Sequence, residues 1–219
     1  MKNGNNMLTH YTTLPVLLDM LLREKLTLSD PTKWEDQNDV KVIKEYKKRK
    51  KLNTLFAICF CTENETNLFW NTYANGKSGC CIEFNKDILL RSFRNGKGGR
   101  FILRHVQYER LKVLEKAVKN DPIPLKNFPF VKRHPYRGES EFRIIWEGNI
   151  DVEELEIKID LSAVKRITFN QRMPERIFET TRQLILRILD KRYKDLKINR
   201  STVLDNKRWI SAFQRMPHQ

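Results

Sequence analysis

Apolar residues change their spacing several times along this chain, and each change marks an element. Leu8 to Tyr11 reads as a short strand. From Leu14 onward, Leu14, Leu17, Leu18, Leu21 and Leu22 recur at helical spacing and form one buried face. Thr12 or Thr13 can cap that helix, with Pro15 in its first turn. Leu26 to Leu28 looks like a returning strand, and Ser29 to Asp39 is a polar, turn-rich loop containing Trp34. Asp39 to about Leu52 is helical and very basic, with few apolar anchors, which predicts a surface helix.

Leu55 to Cys61 is apolar throughout and predicts a buried strand. Thr62 can cap a short helix that carries Trp70 and Tyr73 on one face, at i and i+3. A turn over Asn75 to Gly79 leads to a strand over Cys80 to Phe84, and Asp87 to Phe93 is a brief helix. A glycine-rich basic loop, Arg94 to Arg100, precedes a strand-like stretch from Phe101 to Tyr108 and a helix from Glu109 to Asn120. The proline-rich connector from Asp121 to Pro135 delivers the chain to an alternating, half-buried strand over Glu139 to Trp146. Glu154 to Ile159 and Val164 to Phe169 continue the strand pattern. Pro174 to Lys194 is the strongest helix, with Ile177, Leu184, Ile185, Ile188 and Leu189 on one stripe. With no repeat and no linker, residues 1–219 read as one domain with the helix 174–194 packed on it, of α+β class with mixed and antiparallel sheets.

Composition adds three constraints. No run approaches the roughly 20 apolar residues of a membrane span, and Met1 to Asn6 lack an apolar signal core. A cytoplasmic protein with no membrane partner is the expectation. The net charge of +15 attracts polyanions, nucleic acid first and an acidic protein second. Its densest run, Lys44 to Lys51, includes Lys47, Lys48, Arg49 and Lys50, and reads either as a solvated face or as a phosphate contact. Cys59, Cys61, Cys80 and Cys81 sit in strand-like runs without zinc-ligand spacing, so reduced thiols and no metal are expected.

Three separated segments place polar side chains within apolar surroundings. His10, beside Tyr11 and Thr12, ends the first strand just before a helix. It is either a backbone hydrogen-bond partner or a functional imidazole. Trp70 and Tyr73 lie among Asn67, Asn71, Thr72 and Asn75, so their rings are either packing or a platform for a planar ligand. Glu139 and Glu141, two apart on a predicted strand, face one side. They are either balanced by Arg137 and Arg143, or a ribose-holding, cation-stabilising pair. The loop with Arg94, Lys97 and Arg100 lacks the dinucleotide and P-loop glycine orders. It reads as a mobile loop or a phosphate wrap.

In order, these segments resemble a widespread bacterial domain family of unknown function with an HYT…WxxYA…ExEFR pattern, over roughly residues 8 to 205. They also resemble the ADP-ribosyltransferase fold, in the branch with a His-Tyr-Glu triad that includes nucleic-acid-modifying toxins. The resemblance implies that His10 grips the NAD ribose and amide, that Tyr73 stacks on nicotinamide, and that Glu141 or Glu139 is catalytic. The chain departs from that branch at Tyr11, which stands before Thr12 where the branch has Gly, Ser or Thr, and Trp70 or Tyr11 is an alternative stacking ring to Tyr73. The implied activity is mono-ADP-ribosyl transfer from NAD, used as a substrate, to nucleic acid, RNA foremost. The setting would be a toxin or phage-defence system with an acidic antitoxin or chaperone. The competing expectation is a non-enzymatic basic module that binds nucleic acid or a partner.

Overall fold

The computed structural model describes residues 6–74, 76–96, 98–189, 193 and 196–216. The chain begins with β1 (Met7–Thr13), α1 (Leu14–Arg23), β2 (Lys25–Leu28), α2 (Gln37–Lys50) and β3 (Thr54–Cys61). Then come α3 (Asn67–Tyr73), β4 (Gly79–Asn85), α4 (Lys86–Leu90), β5 (Gly99–His105), β6 (Gln107–Glu109) and α5 (Leu111–Asn120). The second half supplies β7 (Val131–Arg133), β8 (Glu141–Gly148), β9 (Leu155–Lys158), β10 (Val164–Phe169), α6 (Glu175–Ile188), β11 (Lys197–Arg200) and α7 (Lys207–Gln214). The class is α+β.

The central sheet has seven strands in the order β11-β10-β4-β1-β3-β8-β5. Its pairs are antiparallel except β10 with β11. Strands β2 and β9, and strands β6 and β7, form two small sheets. Among the described residues no helix is long and apolar enough to cross a membrane.

Strand alternation gives this sheet two unlike faces. One carries Leu8, Phe56, Ile58, Phe60, Ile82, Phe84, Phe142, Ile144, Ile167 and Phe169, and packs against Leu17 and Leu21 of α1 and Phe178 and Ile185 of α6. This is the main core. The other face is divided. Leu55, Ala57 and Ile145 pack against Ile43 and Tyr46 of α2 and against Phe130, whereas Cys81 packs against Trp70 and Ala74, at and just beyond α3. Polar and charged residues occupy the middle of this second face.

Several local expectations change. Helix α2 is anchored through a seam of Asp39, Val40, Ile43 and Tyr46, which fall on one side at three- and four-residue spacing, so few anchors suffice. On α6 the buried positions are Phe178, Thr181 and Ile185, whereas Ile177 and Leu184 face outward. Thr66, not Thr62, caps α3, accepting from the Phe69 N–H at 3.3 Å. The Thr62 hydroxyl instead donates to the Ser140 carbonyl at 2.8 Å. Gly79 cannot carry a side chain, because a Cβ there would lie 1.9 Å from the Ala74 carbonyl oxygen. The end of α3 thus sits directly on β4.

Candidate active site at the head of strand β8

Glu139 is not on a strand. It ends a 3-10 helix, His134–Glu139, and Ser140 then adopts a left-handed conformation, φ 43°. A non-glycine residue there costs free energy. Two hydrogen bonds from Thr62, backbone N–H at 3.1 Å and hydroxyl at 2.8 Å, hold the Ser140 carbonyl in place. Both carboxylates nevertheless converge on Lys132, whose Nζ lies 2.7 Å from Glu139 and 3.7 Å from Glu141.

Glu141 is buried and accepts two hydrogen bonds from Arg143, Nε to Oε1 at 2.6 Å and Nη2 to Oε2 at 3.0 Å. Arg143 also donates to both oxygens of Asp39, at 3.2 and 2.8 Å, and to the Pro129 carbonyl at 2.7 Å. Its guanidinium lies over Trp34, 4.9 Å from the ring centre, which explains the lone tryptophan in the early loop. Burial pushes the Glu141 carboxyl up, but Arg143 and Lys132 pull it down further, so it ends below its usual range. Burial works against the Arg143 charge, and Glu141 and Asp39 more than restore it. The Cys59 thiol beside them is pushed well up, by burial and then by Glu141.

Glu139 has a different environment. It accepts from the Tyr73 hydroxyl and from Lys132. Tyr73 is 43% exposed, so its ring meets solvent while its hydroxyl points at a buried carboxylate. Burial and the Glu139 contact raise the Tyr73 pKa far above its usual value, keeping it a proton donor. Tyr108 supports the same spot, its hydroxyl accepting from the Glu141 N–H at 2.9 Å.

The structure therefore brings Tyr73, Glu139 and Glu141 together. Tyr11 and Trp70 adjoin them, linked through Phe69, whose ring centre lies 5.5 Å from Tyr11 and 6.4 Å from Tyr73. Trp70 is buried edge-on against Tyr11 and donates to Glu65 at 3.0 Å, so its ring has no free face to offer a ligand. The Tyr11 hydroxyl is buried without a hydrogen-bond partner.

His10 is not part of this group. It pairs across with Ile82, and its ring lies 5.7 Å from Phe60, on the main-core face. Glu141 stands opposite Cys61, on the other face. The His10 Nδ1 lies 2.9 Å from the Cys59 carbonyl. Burial lowers its pKa, and that hydrogen bond offsets part of the shift. Thr12, opposite Cys80, shares the His10 face. An open groove of about 540 Å³ at the β10–β11 edge is lined by Arg166, Arg182, Arg200 and Glu65 among others, and not by His10, Tyr73, Glu139 or Glu141.

Lys50 and Arg100 meet at the opposite edge of the sheet. Arg100 Nε donates to Glu147 at 2.6 Å and Lys50 lies 3.7 Å from it, while Tyr46 donates to the same carboxylate. Lys48, Arg49 and Arg94 are exposed nearby in sequence and Lys47 is partly exposed; Lys97 and Asn75 lie outside the described residues. Among the described residues no three His, Cys, Asp or Glu side chains gather as a metal site. Asp39, Lys132 and Tyr108 are site neighbours that sequence reasoning did not name. Asp39 enters at the start of α2 and Lys132 on the three-residue strand β7, where no periodicity marks them.

No family model matches the chain, and no curated protein matches it. Among solved structures, DarT of Thermus sp. 2.9 in complex with ADP-ribosylated ssDNA is similar at 9% identity and TM-score 0.42, over 90% of this chain and 94% of that one. The same protein with carba-NAD+ is similar at 10% identity and TM-score 0.40, over 92% of this chain and 97% of that one. With NAD+ the figures are 9% identity, TM-score 0.42, and 92% and 98% coverage. An overlap this loose assigns no activity to the chain.

Proposed function

We propose that the protein is a mono-ADP-ribosyltransferase that cleaves NAD and passes ADP-ribose to nucleic acid, with RNA as acceptor, as a toxin or phage-defence effector. The observation that carries this reading is the bond between the half-exposed Tyr73 and the buried Glu139. It joins two of the segments on which the sequence resemblance rests.

In this reading the Tyr73 ring stacks on nicotinamide, and its hydroxyl orients the Glu139 carboxylate. The C1′–N bond breaks with its electron pair going to nicotinamide, which leaves neutral. Glu139 stabilises the oxocarbenium-like centre, and the acceptor attacks C1′ and gives its proton to solvent. Glu141, held by Arg143, positions Glu139 through Lys132. His10 and Thr12, on the far face, then serve the sheet rather than NAD. The exposed cations Lys48, Arg49 and Arg94, with the partly exposed Lys47, hold the acceptor phosphates, while Lys50 and Arg100 pair with Glu147; an acidic antitoxin or chaperone covers this surface when the activity is restrained.

A second reading is favoured by a specific observation: His10 and Glu141 lie on opposite faces of the sheet. In that reading the chain is a non-enzymatic basic module that binds nucleic acid. Labelled NAD incubated with the protein and with RNA, DNA or protein acceptors separates the two. Transfer that disappears in Glu139→Gln supports the first. Salt-sensitive RNA binding with no NAD consumption supports the second.

A further inference from the structure

Helix α7 (Lys207–Gln214) has no buried residue. An eight-residue helix is too short to be stable in water on propensity alone, and its cap, the Asn206 carboxamide accepting from the Trp209 N–H at 3.1 Å, contributes only about 1 kcal/mol. Its apolar side chains nevertheless lie to one side. Trp209 is 67% exposed, Phe213 55% and Met216 56%, with Ile210 beside them, and the two rings lie 5.2 Å apart. At helical spacing, Lys207, Arg208, Ser211 and Arg215 fall on the opposite side. From Asn206 to Gln219 the sequence contains no acid.

We infer that α7 is an interfacial anchor that docks the protein on an anionic phospholipid surface. Basic residues opposite an apolar face with a tryptophan are what an in-plane membrane helix requires. The cations meet lipid phosphates, and the positive net charge of the whole chain, +15, adds long-range attraction to the same surface. A protein groove fits less well. The four apolar side chains expose on the order of 500 Å², short of the roughly 800 Å² per partner of a stable protein interface. Nucleic acid fits less well too, since Ile210 and Met216 have no ring to stack. A second copy would bring two basic helices together. The inference concerns attachment to a surface, not a spanning segment, and it does not depend on the activity proposed above.

The full chain is co-sedimented with vesicles of phosphatidylcholine, with and without phosphatidylglycerol, at low and at high salt. High salt screens the body's charge and leaves apolar insertion. The expected result is binding to the anionic vesicles that survives high salt, with a blue-shifted emission absent from Trp209→Phe. The double variant Trp209→Ser/Phe213→Ser should bind about tenfold or more weakly at high salt, with an unchanged fold by circular dichroism and unchanged NAD consumption. Equal loss of wild-type and variant binding at high salt would mean plain electrostatic adsorption and would overturn the inference. So would a wild-type dimer that the double variant abolishes.

Discussion

Arg143 and Glu141, two residues apart on β8, are joined through both oxygens of the carboxylate, at 2.6 and 3.0 Å. The remaining guanidinium hydrogens go to Asp39 and the Pro129 carbonyl. A fully buried arginine is stable only when every donor is satisfied, and this one is. The side chain therefore fastens β8, α2 and the connector before it into one block behind Glu139.

Breaking that block should cost folding stability before it costs chemistry. Glu141→Gln or Arg143→Met leaves a buried charge without its partner, which typically costs about 3–5 kcal/mol. Urea denaturation should show the loss as a lower midpoint. A Glu141→Gln protein of wild-type stability that is inactive would instead assign Glu141 to the reaction itself.

Glu139→Gln and Tyr73→Phe should behave differently. Tyr73 is half exposed, and Lys132 retains Glu141 when Glu139 is neutral. Stability should fall by about 1–3 kcal/mol at most, whereas NAD cleavage should drop by roughly two orders of magnitude or more in Glu139→Gln. Tyr73→Phe keeps the ring, so KM for NAD should change little while kcat falls. Steady-state NAD-consumption kinetics on the two variants separate these outcomes.

Much of the scaffold was legible in the sequence. The strands over Leu8 to Tyr11, Leu55 to Cys61, Cys80 to Phe84 and Val164 to Phe169 follow their apolar patterns closely. Alternation groups His10 with Leu8 on the core face, away from Glu141, so its expected grip on NAD rested on the resemblance alone. The pairing of Glu139 with Glu141 came out by another route. The strand alternation invoked for it fails at Ser140, whose positive φ no side-chain pattern announces, and Lys132 gathers the two acids instead. Lys132 and Asp39 could not be read, because contacts between the short strand β7 and the start of α2 depend on tertiary packing. Helix α7 was not read because eight residues carry too short a repeat to mark a helix.

Acid should weaken the fold in two separate steps. His10 has a folded pKa below its usual 6.5, so the unfolded chain binds more protons once pH falls through 6.5, and stability declines from there to the folded value. Glu141 has a folded pKa below its usual 4.5, so its contribution is present above 4.5 and is lost as pH falls through the folded value. Stability measured from about pH 8 to 3 should decline first near 6.5, and His10→Gln should shrink that step, leaving the part from His105, whose pKa burial and then Lys86 also lower. An unaltered profile in His10→Gln would show that the imidazole is not desolvated.

The basic edge predicts a division between cations that bind and cations that support. Lys48 and Arg94 are exposed, so Lys48→Gln or Arg94→Gln should leave the melting temperature unchanged. If each touches a phosphate, each should reduce the salt slope of single-stranded RNA binding by about 0.7. Arg100 is bound to Glu147, which is buried beside Tyr46 and Lys50. Arg100→Gln should therefore reduce stability by about 1–3 kcal/mol, because the Glu147 carboxylate loses a charged donor. Filter binding over a salt series, paired with thermal melts of the same variants, distinguishes the two kinds of residue. A Lys48→Gln protein with an unchanged slope would move the nucleic-acid contact away from the end of α2.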